Sequence, residues 1–225
     1  MSASGVLVFD MDGVLVDVTE SYRETIRRTV QYFTGSEIGN DRIQALKNAG
    51  GWTNDWSVAH KIIQDLGGAV DYDSVVAQFQ SIFLGDGENG LMRREKWAAR
   101  PGLLEDLGGR YRLAVFTGRP RAEAQMTLSR FAAHLTFDPL IGAEDVVRGK
   151  PAPDGLAKIA ALTGADRIWY VGDTVDDARS ARAAGVPFIG IAAPDSPARA
   201  DLVSLFEAEK AFAVIEDLNQ LETVL

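Results

Sequence analysis

The chain reads as an α/β protein whose doubly wound parallel sheet is interrupted early by an all-helical insertion. Three observations predict this. Short apolar runs recur along the sequence, each beside a helical pattern, as strands buried on both faces of a parallel sheet require. A long stretch, residues 18–97, breaks the alternation and reads as helix after helix. Glycine pairs and clusters punctuate those helices.

The first strand is Gly5-Val6-Leu7-Val8-Phe9-Asp10, an apolar run ending at a carboxylate, with Gly13 soon after. Similar runs follow at Arg112–Thr117, Arg167–Gly172 and Val186–Ile191. The helical patterns beside them cover Arg121–Ala132, Pro153–Thr163, Asp176–Ala184 and Pro197–Phe206. A last pair is Ala211–Ile215 with Glu216–Val224. Strand and helix in alternation give a Rossmann-like, doubly wound sheet. Inside the insertion, helices are expected at Thr19–Phe33, Asp41–Asn48, Asn54–Leu66 and Asp73–Leu84, separated by Gly50-Gly51, Gly67-Gly68 and the Gly85–Gly90 stretch. Asp17-Val18-Thr19-Glu20 resembles a capping box, so Asp17 is read as both hinge and N-cap. Arg100-Pro101-Gly102 marks the return. At 225 residues the chain exceeds the commonest domain size. It divides into an α/β core, 1–17 and 98–225, and a helical cap, 18–97.

Composition narrows the function. With 23 basic and 32 acidic residues the net charge is 23 − 32 = −9. There is no Lys/Arg tract, so the electrostatic footprint of a nucleic-acid binder is missing. No apolar run is long enough to span a bilayer and no basic-then-apolar leader is seen, so a cytoplasmic protein without a membrane partner is expected. The absence of cysteine excludes disulfides, thiolate metal sites and a cysteine nucleophile. His60 and His134 have no second histidine at ligand spacing and are read as surface or packing residues. Nothing in the sequence marks an oligomeric state.

The chemistry sits in four short motifs. In Asp10-Met11-Asp12-Gly13, side chains at i and i+2 of a strand end point the same way, so both carboxylates face one site. That site lies at the carboxyl edge of the sheet, where open α/β folds place ligands. Adjacent carboxylates repel unless a cation, a shared proton or a division of roles relieves them. In phosphoryl transfer one anion attacks phosphorus while the other holds a proton for the leaving oxygen. The plainer reading is a turn rich in Asp and Gly. A second acidic cluster, Gly172-Asp173-Thr174-Val175-Asp176-Asp177, also lies where a strand meets a helix. Hard oxygen ligands from two strand ends suit Mg²⁺. Helix capping alone would explain Asp176, though not Asp173. Thr117-Gly118-Arg119 ends another strand and offers a hydroxyl and N–H groups to phosphate oxygens. Lys150-Pro151 lies in a loop and could screen both nucleophile and phosphate.

Together, in this order, the four motifs resemble the haloacid dehalogenase superfamily, in the branch whose helical cap follows the first motif. Phosphoglycolate phosphatases and β-phosphoglucomutase-like proteins belong to that branch. The resemblance spans nearly the whole chain. It implies that Asp10 is the nucleophile and a Mg²⁺ ligand, and that Asp12 is the general acid/base with its backbone carbonyl on the metal. Thr117 and the Gly118 amide would bind the phosphoryl group, and Lys150 would stabilise charge around Asp10. Asp173 would bind the metal, with Asp177, or Asp176 in its place, supporting it. Asp12 sets the chain apart from dehalogenases and phosphonate-cleaving relatives, which generally lack this second aspartate. Lys47 and Lys61 of the cap are read as helix-surface lysines, not Schiff-base lysines.

The expected reaction is therefore hydrolysis of a small phosphorylated metabolite through an aspartyl-phosphate. A sugar phosphomutase and an inert ligand-binding protein of the same fold are the alternatives. The loop Asn48–Trp56 of the cap corresponds to a specificity loop in relatives, which makes Trp52 and Asn54 candidate substrate contacts alongside Arg119. Trp52 and Trp56, four apart, also fit a helix-packing pair. Tyr22 suits either the cleft or the cap core. Cap opening and closing would admit substrate and exclude water.

Overall fold

A computed structural model of the chain describes residues 5–86 and 89–225. Gly87, part of the Gly85–Gly90 punctuation, lies outside the described residues. The elements run β1 (Val6–Phe9), β2 (Val16–Asp17), α1 (Tyr22–Thr34), α2 (Asn40–Ala49), α3 (Asp55–Asp65), α4 (Tyr72–Leu84) and β3 (Lys96–Trp97). They continue with α5 (Leu103–Arg110), β4 (Arg112–Phe116), α6 (Arg121–Phe131), β5 (Leu140–Ile141) and α7 (Asp154–Thr163). The last five are β6 (Ile168–Gly172), α8 (Val175–Ala184), β7 (Phe188–Ile191), α9 (Arg199–Ala208) and β8 (Ala213–Ile215). Short 3₁₀ turns lie at Leu91–Arg94, Ala143–Asp145 and Leu218–Thr223.

Two compact units result, Met1–Val16 with Trp97–Leu225, and Asp17–Lys96. The first is a six-stranded sheet of order β5-β4-β1-β6-β7-β8, with every described pairing parallel. The chain steps outward from β1 to β4 and β5, then returns to the other side of β1 for β6, β7 and β8. That reversal puts the carboxyl end of β1 at the switch point, where such sheets bind ligands. The strands are almost wholly apolar because both faces are covered: β1 is buried at all four residues and β7 likewise. Phe116, Leu156, Ile159, Tyr170, Phe188 and Phe206 fill the core on this side.

The second unit contains α1–α4. Ile26 and Val30 of α1, Ile62 and Ile63 of α3, and Phe79 and Phe83 of α4 are its buried centre. Tyr22 belongs to that centre as well, 4.1 Å from the Phe83 ring and 5.9 Å from Phe79. No helix among the described residues is long and apolar enough to cross a membrane.

Three local expectations are corrected. Asp17 does not cap the first helix: its Oδ1 accepts from the Thr19 N–H at 2.9 Å, and α1 starts at Tyr22 with Ser21 at the N-cap. The Asp17 side chain thus closes an Asx-type turn ahead of the helix, while Glu20 pairs with Lys96 at 2.6 Å. A helix not anticipated, α5, covers 103–110 despite Gly108 and Gly109; Leu103, Leu104 and Leu107 are buried along one face, and packing overrides the glycine cost. Within the expected 216–224 helix, only Leu218–Thr223 is helical, and as a 3₁₀ turn.

Candidate active site

Three strand tips meet at one sheet edge. Phe9 of β1 pairs in register with Val115 of β4 and Val171 of β6, so the residues just beyond, Asp10, Thr117 and Asp173, leave the sheet together. Gly13 is needed here. Its φ of +75° suits glycine, and a Cβ at that position would fall on the Asp173 carboxylate. At Gly172 it is space alone that requires glycine, since a Cβ there would meet the Asp177 side chain.

Lys150 enters this edge from the loop before α7. Its Nζ lies 2.6 Å from Asp10 Oδ1 and 2.7 Å from Asp177 Oδ1. The Phe116 and Tyr170 rings lie 5.0 and 5.5 Å from the ammonium, which removes it from water and strengthens both contacts. Asp177 has more donors. Its Oδ2 accepts from the Thr174 N–H at 3.0 Å and the Thr174 hydroxyl at 2.6 Å, and its Oδ1 accepts from the Tyr170 hydroxyl at 2.6 Å. Thr174 Oγ1 accepts in return from the Asp177 N–H, completing the capping box of α8.

The two buried carboxyls therefore differ. Burial dominates at Asp10 and pushes it up to about 7; Lys150 pulls it down, while the charges of Asp177 and Asp12 push it further up. At Asp177 burial acts in the same direction, but Lys150 and the hydrogen bonds from Lys150, Thr174 and Tyr170 outweigh it and hold the carboxyl below its ordinary range. Lys150, although burial opposes its charge, is held above the ordinary lysine value by Asp10 and Asp177. Burial and then the Asp177 charge push the Tyr170 phenol far up, so it remains a neutral donor.

One oxygen each from Asp10, Asp173 and Asp177 lies within 4.8 Å of the others. Hard oxygen donors, with no histidine in the set, fit a divalent cation of the Mg²⁺ kind. Asp177, not Asp176, joins this cluster. Asp176 is buried on the other side of the helix start, 3.8 Å from Arg179.

Asp12 is held differently. Arg119 Nε donates to Asp12 Oδ1 at 2.8 Å, and one terminal nitrogen contacts the same oxygen. The other terminal nitrogen donates to Thr127 Oγ1 of α6 at 2.9 Å. The Arg119 N–H donates to Thr117 Oγ1 at 3.1 Å. Arg119 was expected at the substrate; the structure buries its guanidinium against Asp12 and Thr127. Gly118 lies beside it at the tip of β4.

In the helical unit, Asn54 Oδ1 accepts from the Ser57 N–H at 3.1 Å and caps α3. Trp52 is half-buried in the loop ahead of that helix, whereas Trp56 lies inside it, so the two are not a pair on one helix. Lys47 is not a surface lysine: it is half-buried, 2.9 Å from Asp55. Lys61 pairs with Asp65. His60 Nε2 lies 3.0 Å from the Val70 carbonyl, and His134 Nε2 is 2.8 Å from Glu105.

Two residues of the arrangement were missed in sequence. Tyr170 carried a signal: a phenol in a strand buried on both faces needs a partner for its hydroxyl, and it sits three residues before Asp173. Thr127 carried none, since its role depends on how α6 packs.

The family model for haloacid dehalogenase-like hydrolases matches residues 7–191. The chain is 34% identical over 205 residues to an imidazoleglycerol-phosphate dehydratase of Phytophthora nicotianae, covering 87% of this chain and 45% of that protein. It thus spans less than half of that relative's length. It is 29% identical over 196 residues to a phosphoglycolate phosphatase of Cereibacter sphaeroides, covering 81% and 82% of the two chains. Among solved structures, a haloacid dehalogenase-like hydrolase from Bacteroides fragilis superposes with a TM-score of 0.76 at 24% identity, over 98% of this chain and all of that one.

Proposed function

This chain belongs to the haloacid dehalogenase-like hydrolase family, and from that premise we propose that it is a Mg²⁺-dependent phosphatase acting on a small phosphomonoester through an aspartyl-phosphate. The observation that carries the reading is the contact of Asp10 with Lys150 at the edge that also holds Thr117 and Asp173. The relatives named for imidazoleglycerol phosphate and phosphoglycolate support a small phosphorylated metabolite as substrate.

In this mechanism Asp10 attacks phosphorus and the ester oxygen departs, taking a proton from Asp12. Asp12, now a carboxylate, then removes a proton from water, which attacks the same phosphorus. Phosphate leaves and the Asp10 carboxylate is restored. Thr117 and the Gly118 amide hold equatorial phosphoryl oxygens, and Lys150 keeps Asp10 oriented and offsets the charge that gathers there. Asp10, Asp173, the Asp12 carbonyl and Asp177 would hold Mg²⁺, which would supply the positive charge that lets an anionic ester approach an anionic nucleophile. The protein's own contribution is mainly placement and charge.

Phosphate release from a panel of phosphate esters, with Mg²⁺ and with chelator, tests this. Release that depends on Mg²⁺ is expected, whereas a mutase would move the phosphoryl group within a sugar phosphate without releasing it. Melting temperature gives a second readout. The Asp10 pKa in the folded chain, about 7, lies above its ordinary value of 3.8, so without metal the protein loses stability as pH rises from about 4 through about 7. Asp177, with a lowered pKa, stabilises above its ordinary value and loses that contribution as pH falls through its lower folded value. Mg²⁺ should therefore raise the melting temperature more at about pH 8 than at about pH 5.5, where Asp10 carries a proton. No shift at either pH, with no ester turned over, would favour the inert reading.

A further inference from the structure

We propose that Arg119 is a positioning residue for Asp12, fixing one carboxylate oxygen so that the other serves as the proton-carrying atom of the reaction. This rests on the phosphatase reading above and assigns Arg119 a place within it. Three features support it. First, both Arg119 contacts to Asp12 go to Oδ1, and Oδ2 takes no hydrogen bond from the described residues. Second, the guanidinium is anchored from behind: its remaining terminal nitrogen donates to Thr127 Oγ1, and the Arg119 side chain is 1% exposed against 24% for Asp12. The arginine is the fixed partner, with the carboxylate on its accessible side. Third, the backbone of the same residue donates to Thr117 Oγ1. One residue thus ties the proposed proton carrier to the proposed phosphoryl-binding hydroxyl.

A planar guanidinium holding one oxygen through two nitrogens restricts a carboxylate in a way that a lysine ammonium does not. The burial also argues against a direct substrate contact, since the Arg119 side chain is almost wholly enclosed and its guanidinium is engaged by Asp12 and Thr127. Arg119 acts through another residue and does not itself touch the ester.

The test separates the two halves of the reaction with p-nitrophenyl phosphate. Its weakly basic leaving group departs with little help from an acid, so the burst of p-nitrophenolate reports attack by Asp10. The steady state that follows reports breakdown of the aspartyl-phosphate, which needs Asp12 as base. Arg119→Lys should leave the burst within about 3-fold and slow the steady state about 100-fold, the lower end of general acid–base effects. On an aliphatic ester (phosphoglycolate, or the fastest aliphatic substrate of the panel) both phases should slow, because the leaving oxygen then needs its proton. Thr127→Val, which removes the hydroxyl that anchors the guanidinium, should show the same pattern at smaller size, with a modest fall in melting temperature from the loss of that buried hydrogen bond. Equal loss in both phases on p-nitrophenyl phosphate would overturn the proposal, as would a raised KM with unchanged kcat, or no loss at all. Asp10→Asn is the control. If it retains turnover, the phosphatase mechanism itself fails; if it is inactive while Arg119→Lys is normal, only the Arg119 inference fails.

Discussion

Asp10→Asn is expected to abolish ester hydrolysis, by at least about 10⁴-fold, while the metal-free protein melts no lower than the parent at about pH 8. The two halves of this result have separate causes. An amide of the same shape keeps the strand tip and its packing but cannot attack phosphorus. Stability is preserved because Asp10 is a buried acid whose proton affinity is raised; above about pH 7 its charge is a cost in the absence of metal, which the amide does not bear. Lys150 keeps Asp177 as its partner at 2.7 Å and so is not left as an unpaired buried cation. Calorimetry and a phosphate-release assay on the same sample check both. A large fall in melting temperature would mean that Asp10 is chiefly a structural anion.

The second large effect is at Lys150. Lys150→Met fits the apolar walls formed by Phe116 and Tyr170 but leaves Asp10 and Asp177 buried with no cation between them. Removing one member of such a buried set costs about 3–5 kcal/mol, seen as a lower denaturant midpoint with an unchanged slope. Activity should fall by about 100-fold or more, as for loss of one preorganised charge at a reacting centre. Saturating Mg²⁺ should recover part of the stability, because the cation takes over the neutralisation, but little of the rate. An unchanged midpoint would show that the ammonium does not hold the carboxylates together.

The parts of this arrangement that were legible in sequence share one property: they are set by local pattern. Asp10 and Asp173 end apolar runs, and a run buried on both faces must stop where a polar side chain can reach water or a ligand. The alternation of such runs with helical patterns was enough to give a doubly wound sheet, and the observed strand order places β1 between β4 and β6. Elements too short to show a period were not legible. β5 is Leu140–Ile141, two residues recruited to the edge of the sheet by pairing with β4. Asp17 misled for a related reason, since an Asp side chain closes a turn onto the N–H two residues on as readily as it caps a helix.

Contacts between distant segments were legible only as possibilities. Asp177 and Asp176 are adjacent acids, and the choice between them depends on helix phase. Thr174 at the N-cap of α8 turns Asp177 inward to Tyr170 and Lys150 and Asp176 toward Arg179. Arg119 is the clearest case. A Thr-Gly-Arg at a strand tip suggests a cation facing an anionic substrate, and nothing local reveals that α6 offers Thr127 or that Asp12 lies within reach. Asn54 shows the converse, a polar loop residue whose side chain is occupied by a cap.

The proposed reaction requires a covalent bond between phosphorus and Asp10. Acid quench of the enzyme during turnover of p-nitrophenyl phosphate with Mg²⁺, followed by mass analysis of the peptide carrying Asp10, should show the mass of one phosphoryl group on that aspartate, absent from the Asp10→Asn protein. Phosphate released at full rate with Asp10 never labelled, or with the label on another residue, would contradict it.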